Sequence, residues 1–161
     1  MNACVLLDNT VLTNFALLNR PDLALDAWAG VCTTTAVLAE YQAGTAVRTL
    51  PPHCWQELTI VNLTAEETAV AHQLAPRLGA GERSCIAVAH CRNGILASDD
   101  ADARRAAQAY NIPLTGTIGI LLLAMRQKRI TLAAGNQLLN TLIQMGYRAP
   151  VTSLDAFSQT P

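Results

Sequence analysis

The chain has 161 residues, 51% hydrophobic and 14% charged, with a formal net charge of −1 and a pI of about 6.3. That length suits one domain whose core needs no disulfide or metal to fold. The hydropathy excludes intrinsic disorder, and the near-neutral charge gives no bulk electrostatic sign of a nucleic-acid binder.

Residues 4–7 form a short apolar run that predicts a buried strand. Helical spacing follows over 10–18 and ends at Asn19-Arg20-Pro21. A second short helix is expected over 21–28, with Pro21 in its first turn. Residues 31–34 predict a strand and 36–43 a helix stopped by Gly44. Pro51-Pro52 reads as a loop. Residues 58–63 predict a strand, and Thr64-Ala65-Glu66-Glu67 a capping box opening a helix to about Leu78. A helix over 82–91 is entered through Gly79-Ala80-Gly81. Strands at 95–98 and 112–115 flank a helix at 102–110. Helices at 118–127 and 132–145 follow, the second closed by Gly146. The tail after residue 150 has no clear pattern, although Leu154 and Phe157 are placed to dock on the body.

Short strands alternating with helices predict an α/β fold, a mainly parallel sheet covered by helices on both sides. The expected organisation is one domain over 1–150 and a tail over 151–161, docked on it or extending from it. Five cysteines, with no C-x-x-C pair, argue against a disulfide framework or a zinc site. They read as small apolar residues in a reducing cytosol, and a His53–Cys54 catalytic pair is disfavoured because adjacent residues rarely face each other. With no basic leader and no apolar run long enough to cross a bilayer, a soluble cytoplasmic protein is expected.

In a parallel sheet, sites gather at the carboxyl ends of the strands. Asp8 directly follows the first predicted strand, and Asp99 and Asp100 follow the strand at 95–98. Glu40 lies on the helix after the second strand, and Glu82 opens a helix through a glycine turn. Clustered carboxylates repel one another unless a cation neutralises them. Hard oxygen ligands suit Mg²⁺ or Mn²⁺, which can activate water for phosphodiester cleavage. Each acid also has an ordinary structural use, as an N-cap or a first-turn acid favoured by the helix dipole. Arg104-Arg105 reads either as a solvated helix face or as a phosphate clamp. His72 and His90 read as packing or surface groups, and Trp28 and Trp55 as core. No P-loop, dinucleotide fingerprint or nucleophile elbow is present.

The ordered pieces resemble PIN-domain nucleases. Val5-Leu6-Leu7-Asp8-Asn9-Thr10 resembles their opening strand and first acid, and Val37-Leu38-Ala39-Glu40 their second acidic motif. Gly79-Ala80-Gly81-Glu82 resembles the G-x-G-E motif of one uncharacterised PIN branch. Ser98-Asp99-Asp100-Ala101-Asp102-Ala103-Arg104 resembles that branch's D-D-x-x-A-R motif, and Gly116-Thr117-Ile118-Gly119-Ile120-Leu121 its G-T-x-G-x-L segment.

The resemblance implies an α/β/α sandwich, Mg²⁺ or Mn²⁺ held by about four carboxylates, and cleavage of single-stranded RNA. Asp8, Glu40 and Glu82 match the first three acidic positions. The fourth is Asp100, two residues after Ser98, or Asp99 if the strand ends one residue earlier. Thr10 matches a hydroxyl position that orients Asp8 or a metal-bound water, with Ser98 in support, and Arg83, Arg104 and Arg105 are the candidate RNA contacts. Many relatives are VapC-like toxins held by a small antitoxin, and many form homodimers, so a homodimer or a complex with a small antitoxin is expected, through apolar faces of the helices at 10–28 and 66–78. No membrane is expected. Two alternatives stand beside this reading. A phosphoryl-receiver domain also clusters acids at strand ends, but Asp8 lacks the acidic neighbour and Lys128 falls past a helix. A PIN-fold binding module without turnover would keep the acids and act only through a partner.

Overall fold

Val5, Leu6 and Leu7 form β1 (Val5–Leu7) and are buried, as a strand covered on both faces must be. The computed structural model describes residues 4–48, 50–51 and 54–158. After β1 come α1 (Asn9–Leu17), α2 (Pro21–Leu25), β2 (Val31–Thr34), α3 (Thr35–Arg48) and β3 (Thr59–Val61). Then follow α4 (Ala65–Gln73), α5 (Ala80–Cys91), β4 (Ile95–Ala97), α6 (Ala101–Ala109) and β5 (Leu114–Thr115). α7 (Thr117–Arg126), α8 (Leu132–Gln144) and a 3-10 turn (Asp155–Phe157) complete the chain.

The strands make one sheet in the order β3-β2-β1-β4-β5, and every pairing is parallel. Helices flank it, giving the α/β/α arrangement. The chain winds outward from β1 to β2 and β3, then crosses back to β4 and β5 on the other side. The winding therefore reverses between β1 and β4, paired from Val5↔Ile95 to Leu7↔Ala97. The carboxyl ends flanking such a reversal form the natural crevice of an open parallel sheet. α5 supports this centre, packing on β1, β2 and β4.

The helices end by a common device. Asn19, Asn93, Asn111, Lys128 and Gly146 have positive φ just past α1, α5, α6, α7 and α8. In each case the next amide donates five residues back, as Tyr147 N does to Leu142 O at 2.9 Å. This closes the last turn and reverses the chain. Asparagine tolerates the left-handed conformation better than most side chains.

Some boundaries differ from the sequence reading. α3 runs through Gly44, because a glycine held at helical dihedrals only weakens a helix. α4 stops at Gln73, with Leu74 extended, because Pro76 cannot continue the ladder. α2 ends three residues early, at Leu25. In the tail, Leu154 is fully buried and its amide donates to Asn136 Oδ1 at 2.7 Å, while Phe157 stays partly exposed. Trp55 is buried in the core, as expected.

The cysteine reading needs correction. Cys4 and Cys32 are joined by a disulfide, with Cα atoms 6.7 Å apart. Cys32 pairs in register with Leu6, so it faces the same side of the sheet as Cys4, one strand across. Cys85 is buried, and Cys54 and Cys91 are half-buried. His53 lies outside the described residues. No described helix is long and apolar enough to cross a membrane.

Candidate active site

The five acids meet the starts of four helices near the carboxyl edge of the sheet. Asp8 caps α1, Asp100 caps α6, Asp99 accepts the first amide of α7, and Glu40 and Glu82 meet the first turn of α5. Free amides and the positive end of the helix dipole favour a carboxylate there. The capping use and the clustering are thus one feature.

Asp8 is 1% exposed. Its Oδ1 accepts from Thr10 N at 3.0 Å, Thr10 Oγ1 at 2.5 Å and Val11 N at 3.2 Å. Its Oδ2 accepts from Ser98 Oγ. Burial pushes the Asp8 carboxyl up to about 7, against the pull of those donors, and nearby Asp99 adds to the rise. Thr10 and Ser98 also stitch β1 to β4. Thr10 Oγ1 accepts from Asp99 N at 2.9 Å, and Ser98 Oγ from Asp100 N at 3.1 Å.

Asp99 and Asp100 are neighbours with different surroundings. Asp99 Oδ1 accepts from Thr117 N at 3.0 Å and Tyr147 OH at 3.2 Å. Its Oδ2 accepts from Thr117 Oγ1 at 2.5 Å and Asn14 Nδ2 at 3.1 Å. Asp100 Oδ1 accepts from Asp102 N and Ala103 N, both at 2.8 Å, while Oδ2 accepts nothing among the described residues.

Glu40 Oε1 accepts from Gly81 N at 2.8 Å, and Glu82 Oε2 from Gly79 N at 2.9 Å. Their other oxygens have no hydrogen-bond partner among the described residues. A Cβ on Gly81 would lie 2.5 Å from Glu40 Oε2, so glycine is what admits Glu40 to the start of α5. Gly116 does the same for Asp99, whose Oδ1 would lie 2.6 Å from a Cβ there. Burial raises the Glu82 carboxyl, and Asp100, Glu40 and Asp102 repel its charge further. Glu40 and Asp100 thus each stand within electrostatic reach of Glu82, as Asp99 does of Asp8.

Among the described residues, none of these five acids forms an ion pair. No three of the described acids, histidines or cysteines stand close enough to grip one metal ion together. The donors themselves are carboxylates with free oxygens, no cationic partner and raised pKa values at Asp8 and Glu82. That chemistry suits Mg²⁺ or Mn²⁺, and Mg²⁺ is commonly held by one or two carboxylates plus waters and substrate phosphate rather than by a closed cage.

The candidate arginines are placed differently from one another. Arg104 Nη1 donates to Ser98 O at 2.7 Å and Thr115 O at 2.8 Å, tying the ends of β4 and β5. Arg105 pairs with Asp102 on the exposed face of α6. Arg83 follows Glu82, and its Nε is buried without a hydrogen-bond partner among the described residues. His90 lies edge-on to Tyr110, and His72 is exposed, both away from the acids.

Two open grooves, of about 540 Å³ and about 630 Å³, flank Asp99. The first is also lined by Asp100, Thr10 and Asn14, the second by Arg104 and Arg105. Glu40 and Glu82 line neither. Asn14, Thr117, Tyr147 and Arg148 do not stand out in the sequence. Asn14 carries a signal, being a polar residue on the apolar face of its helix. Thr117 lies inside the G-T-x-G-x-L segment, where the sequence gives it no role.

No curated protein and no solved structure matches the chain. A family model described as a PIN domain matches residues 4–160. With nearly the whole chain matched, the parallel sheet in place and the acids at its carboxyl edge, this protein belongs to the PIN-domain family, whose fold is a nuclease fold.

Proposed function

We propose that this protein is a metal-dependent endoribonuclease that cuts single-stranded RNA. The observation that carries the reading is five carboxylates gathered at four helix starts, none of them in an ion pair among the described residues. Asp8 is buried with hydrogen bonds but no ion pair among the described residues, so it is costly to keep charged without a cation.

Glu40, Glu82 and Asp100 present free oxygens that would hold Mg²⁺ or Mn²⁺, one or two of them to an ion with water and substrate phosphate completing its shell, beside the buried carboxyl of Asp8. When bound, such an ion neutralises the acids, polarises the phosphate and activates water. Asp8 is held rigid by Thr10 and Ser98, so its carboxylate needs no rearrangement to serve. Glu40, Glu82 and Asp100 each keep one oxygen on a backbone amide and offer the other. Asp99, satisfied on both oxygens, positions the strand end rather than offering a free ligand atom. The test is cleavage of a labelled single-stranded RNA with Mg²⁺ or Mn²⁺, abolished by EDTA and by Asp8→Asn.

The binding-module reading draws on the engagement of the acids as caps and on the absence of a closed three-acid cage among the described residues. It expects RNA or protein binding with no cleavage under any divalent ion.

The toxin role, an antitoxin partner, a homodimer and a cytoplasmic location belong to the same proposal. Among the described residues the exposed large apolar side chains are Val47, Met145 and Phe157, none of them on α1, α2 or α4. Sedimentation of the pure protein, with and without the product of its neighbouring gene, tests the partners.

A further inference from the structure

The two grooves share three lining residues, namely Asp99, Tyr147 and Arg148. Tyr147 and Arg148 therefore stand at the junction of both grooves, beside the acids. Their position follows from the end of α8. Gly146 has φ +99°, a conformation that favours glycine, and it turns the chain back so that Tyr147 N reaches Leu142 O. The Tyr147 hydroxyl then donates to Asp99 Oδ1, the same oxygen that holds the first amide of α7.

The tyrosine is half-buried and its tip is anchored, so its ring is held in place at little further entropic cost on binding. Arg148 is exposed, and among the described residues its guanidinium makes no hydrogen bond or ion pair. The other arginines at these grooves are engaged, Arg104 on two carbonyls and Arg105 on Asp102. The mouth of an acidic site repels a polyanion, so a free cation at the groove junction has a strong effect on where a phosphate can settle.

We propose that Tyr147 and Arg148 form a nucleotide subsite, in which the ring stacks a base of single-stranded RNA and the guanidinium binds a backbone phosphate next to the acids. Stacking on an aromatic ring tolerates any base, and arginine binds phosphate with a bidentate fork. This rests on the RNA reading of the site and adds to it where the strand lies.

The test measures binding of a fluorescent single-stranded RNA by anisotropy with Mg²⁺, in full-length protein carrying Asp8→Asn so that the RNA stays intact. Adding Arg148→Gln should weaken binding about tenfold at low salt. It should also reduce the slope of log affinity against log salt by about 0.7, the signature of one lost phosphate contact on a single strand. Adding Tyr147→Leu should weaken binding about tenfold with the slope unchanged, and Tyr147→Phe, which keeps the ring but loses its anchor on Asp99, should weaken it by no more than about threefold. An unchanged slope in Arg148→Gln overturns the subsite, and so does a Tyr147→Phe protein as weak as Tyr147→Leu. If the parent binds RNA and the variants match it, the subsite falls and the RNA reading stands. If the parent and the wild-type chain bind no RNA, both fall together.

Discussion

The acid cluster has a floor and a rim, and the two are built differently. The floor is Asp8 and Asp99, short side chains at the ends of β1 and β4, with donors on both oxygens of each carboxylate. The rim is Glu40, Glu82 and Asp100, reached from α3, the start of α5 and the start of α6. There one oxygen of each carboxylate is held by backbone amides and the other is free among the described residues. A saturated carboxylate is fixed in place but has little to spare for a ligand. A half-held carboxylate has both a fixed direction and an open lone pair. On the proposed reading the floor sets geometry and electrostatics, while the free oxygens of the rim would be the ligand atoms.

The largest expected effect follows from burying the floor. Asp8 is raised from an ordinary value of 3.8 to about 7. Between these values the folded chain binds the proton and the unfolded chain does not. Asp8 thus favours the fold most below pH 3.8, and this contribution is lost as pH rises to about 7. The ceiling is about 4 kcal/mol, since each tenfold change in proton affinity corresponds to about 1.4 kcal/mol. Asp22 and Glu67, held low by Arg20 and Arg92, work in the opposite direction. The measurement is therefore the difference between Asp8→Asn and wild type in urea melts with EDTA. The variant should gain on the wild type from pH 4 to pH 8. A difference that stays flat with pH would show that Asp8 is not held at that cost.

The same substitution should damage the rate. Asparagine keeps the size and one carbonyl oxygen but removes the charge. The expected loss is at least about a hundredfold in metal-dependent RNA cleavage, roughly 3 kcal/mol of transition-state stabilisation. Gained stability together with lost activity is the signature of a charge kept for function. Undiminished activity in Asp8→Asn would remove the floor from the chemistry.

A smaller effect separates the rim from its scaffold. Gly81→Ala puts a Cβ 2.5 Å from Glu40 Oε2 and 3.0 Å from Val37 Cγ2. The flexible end of Glu40 can swing away, but buried Val37 must also give way, and alanine's better helix propensity offsets only part of that, so stability should fall by about 1 kcal/mol. Glu40 loses its place, and cleavage should fall about tenfold. Gly79→Ala is the control, since its Cβ would lie 3.4 Å from Glu40 Oε1, an ordinary contact. Equal activity in the two variants would show that the placement of Glu40 is unimportant.

The floor and rim were legible in the sequence to different degrees. An aspartate directly after an apolar strand announces itself, because strand ends and parallel topology place it at the crevice. The fold was legible for the same reason, down to the capping box at Thr64 that the structure confirms. The division of labour between Asp99 and Asp100 was not legible. It depends on donors 85, 18 and 48 residues away, at Asn14, Thr117 and Tyr147, which only the finished topology brings to Asp99. Arg104 shows the same limit, since its spacing after the acids says nothing about the two carbonyls it meets. The Cys4–Cys32 bond likewise needed the register of β1 on β2.

The smallest effect probes how redundant the floor is. Tyr147→Phe removes one donor from Asp99 Oδ1 and leaves Thr117 N on the same oxygen. Phenylalanine has no polar group to strand, and Tyr147 is half-buried, so water can reach the vacated position. The cost is that of an ordinary hydrogen bond, about 1 kcal/mol. In a chain of this size that lowers the melting temperature by about 2–4 °C in calorimetry. Cleavage should fall less than about threefold, because Asn14 and both Thr117 donors still fix the carboxylate. A hundredfold loss with the fold intact would break the distinction between floor and rim. Asp99 would then need its full set of donors as strictly as the reaction needs the charge of Asp8.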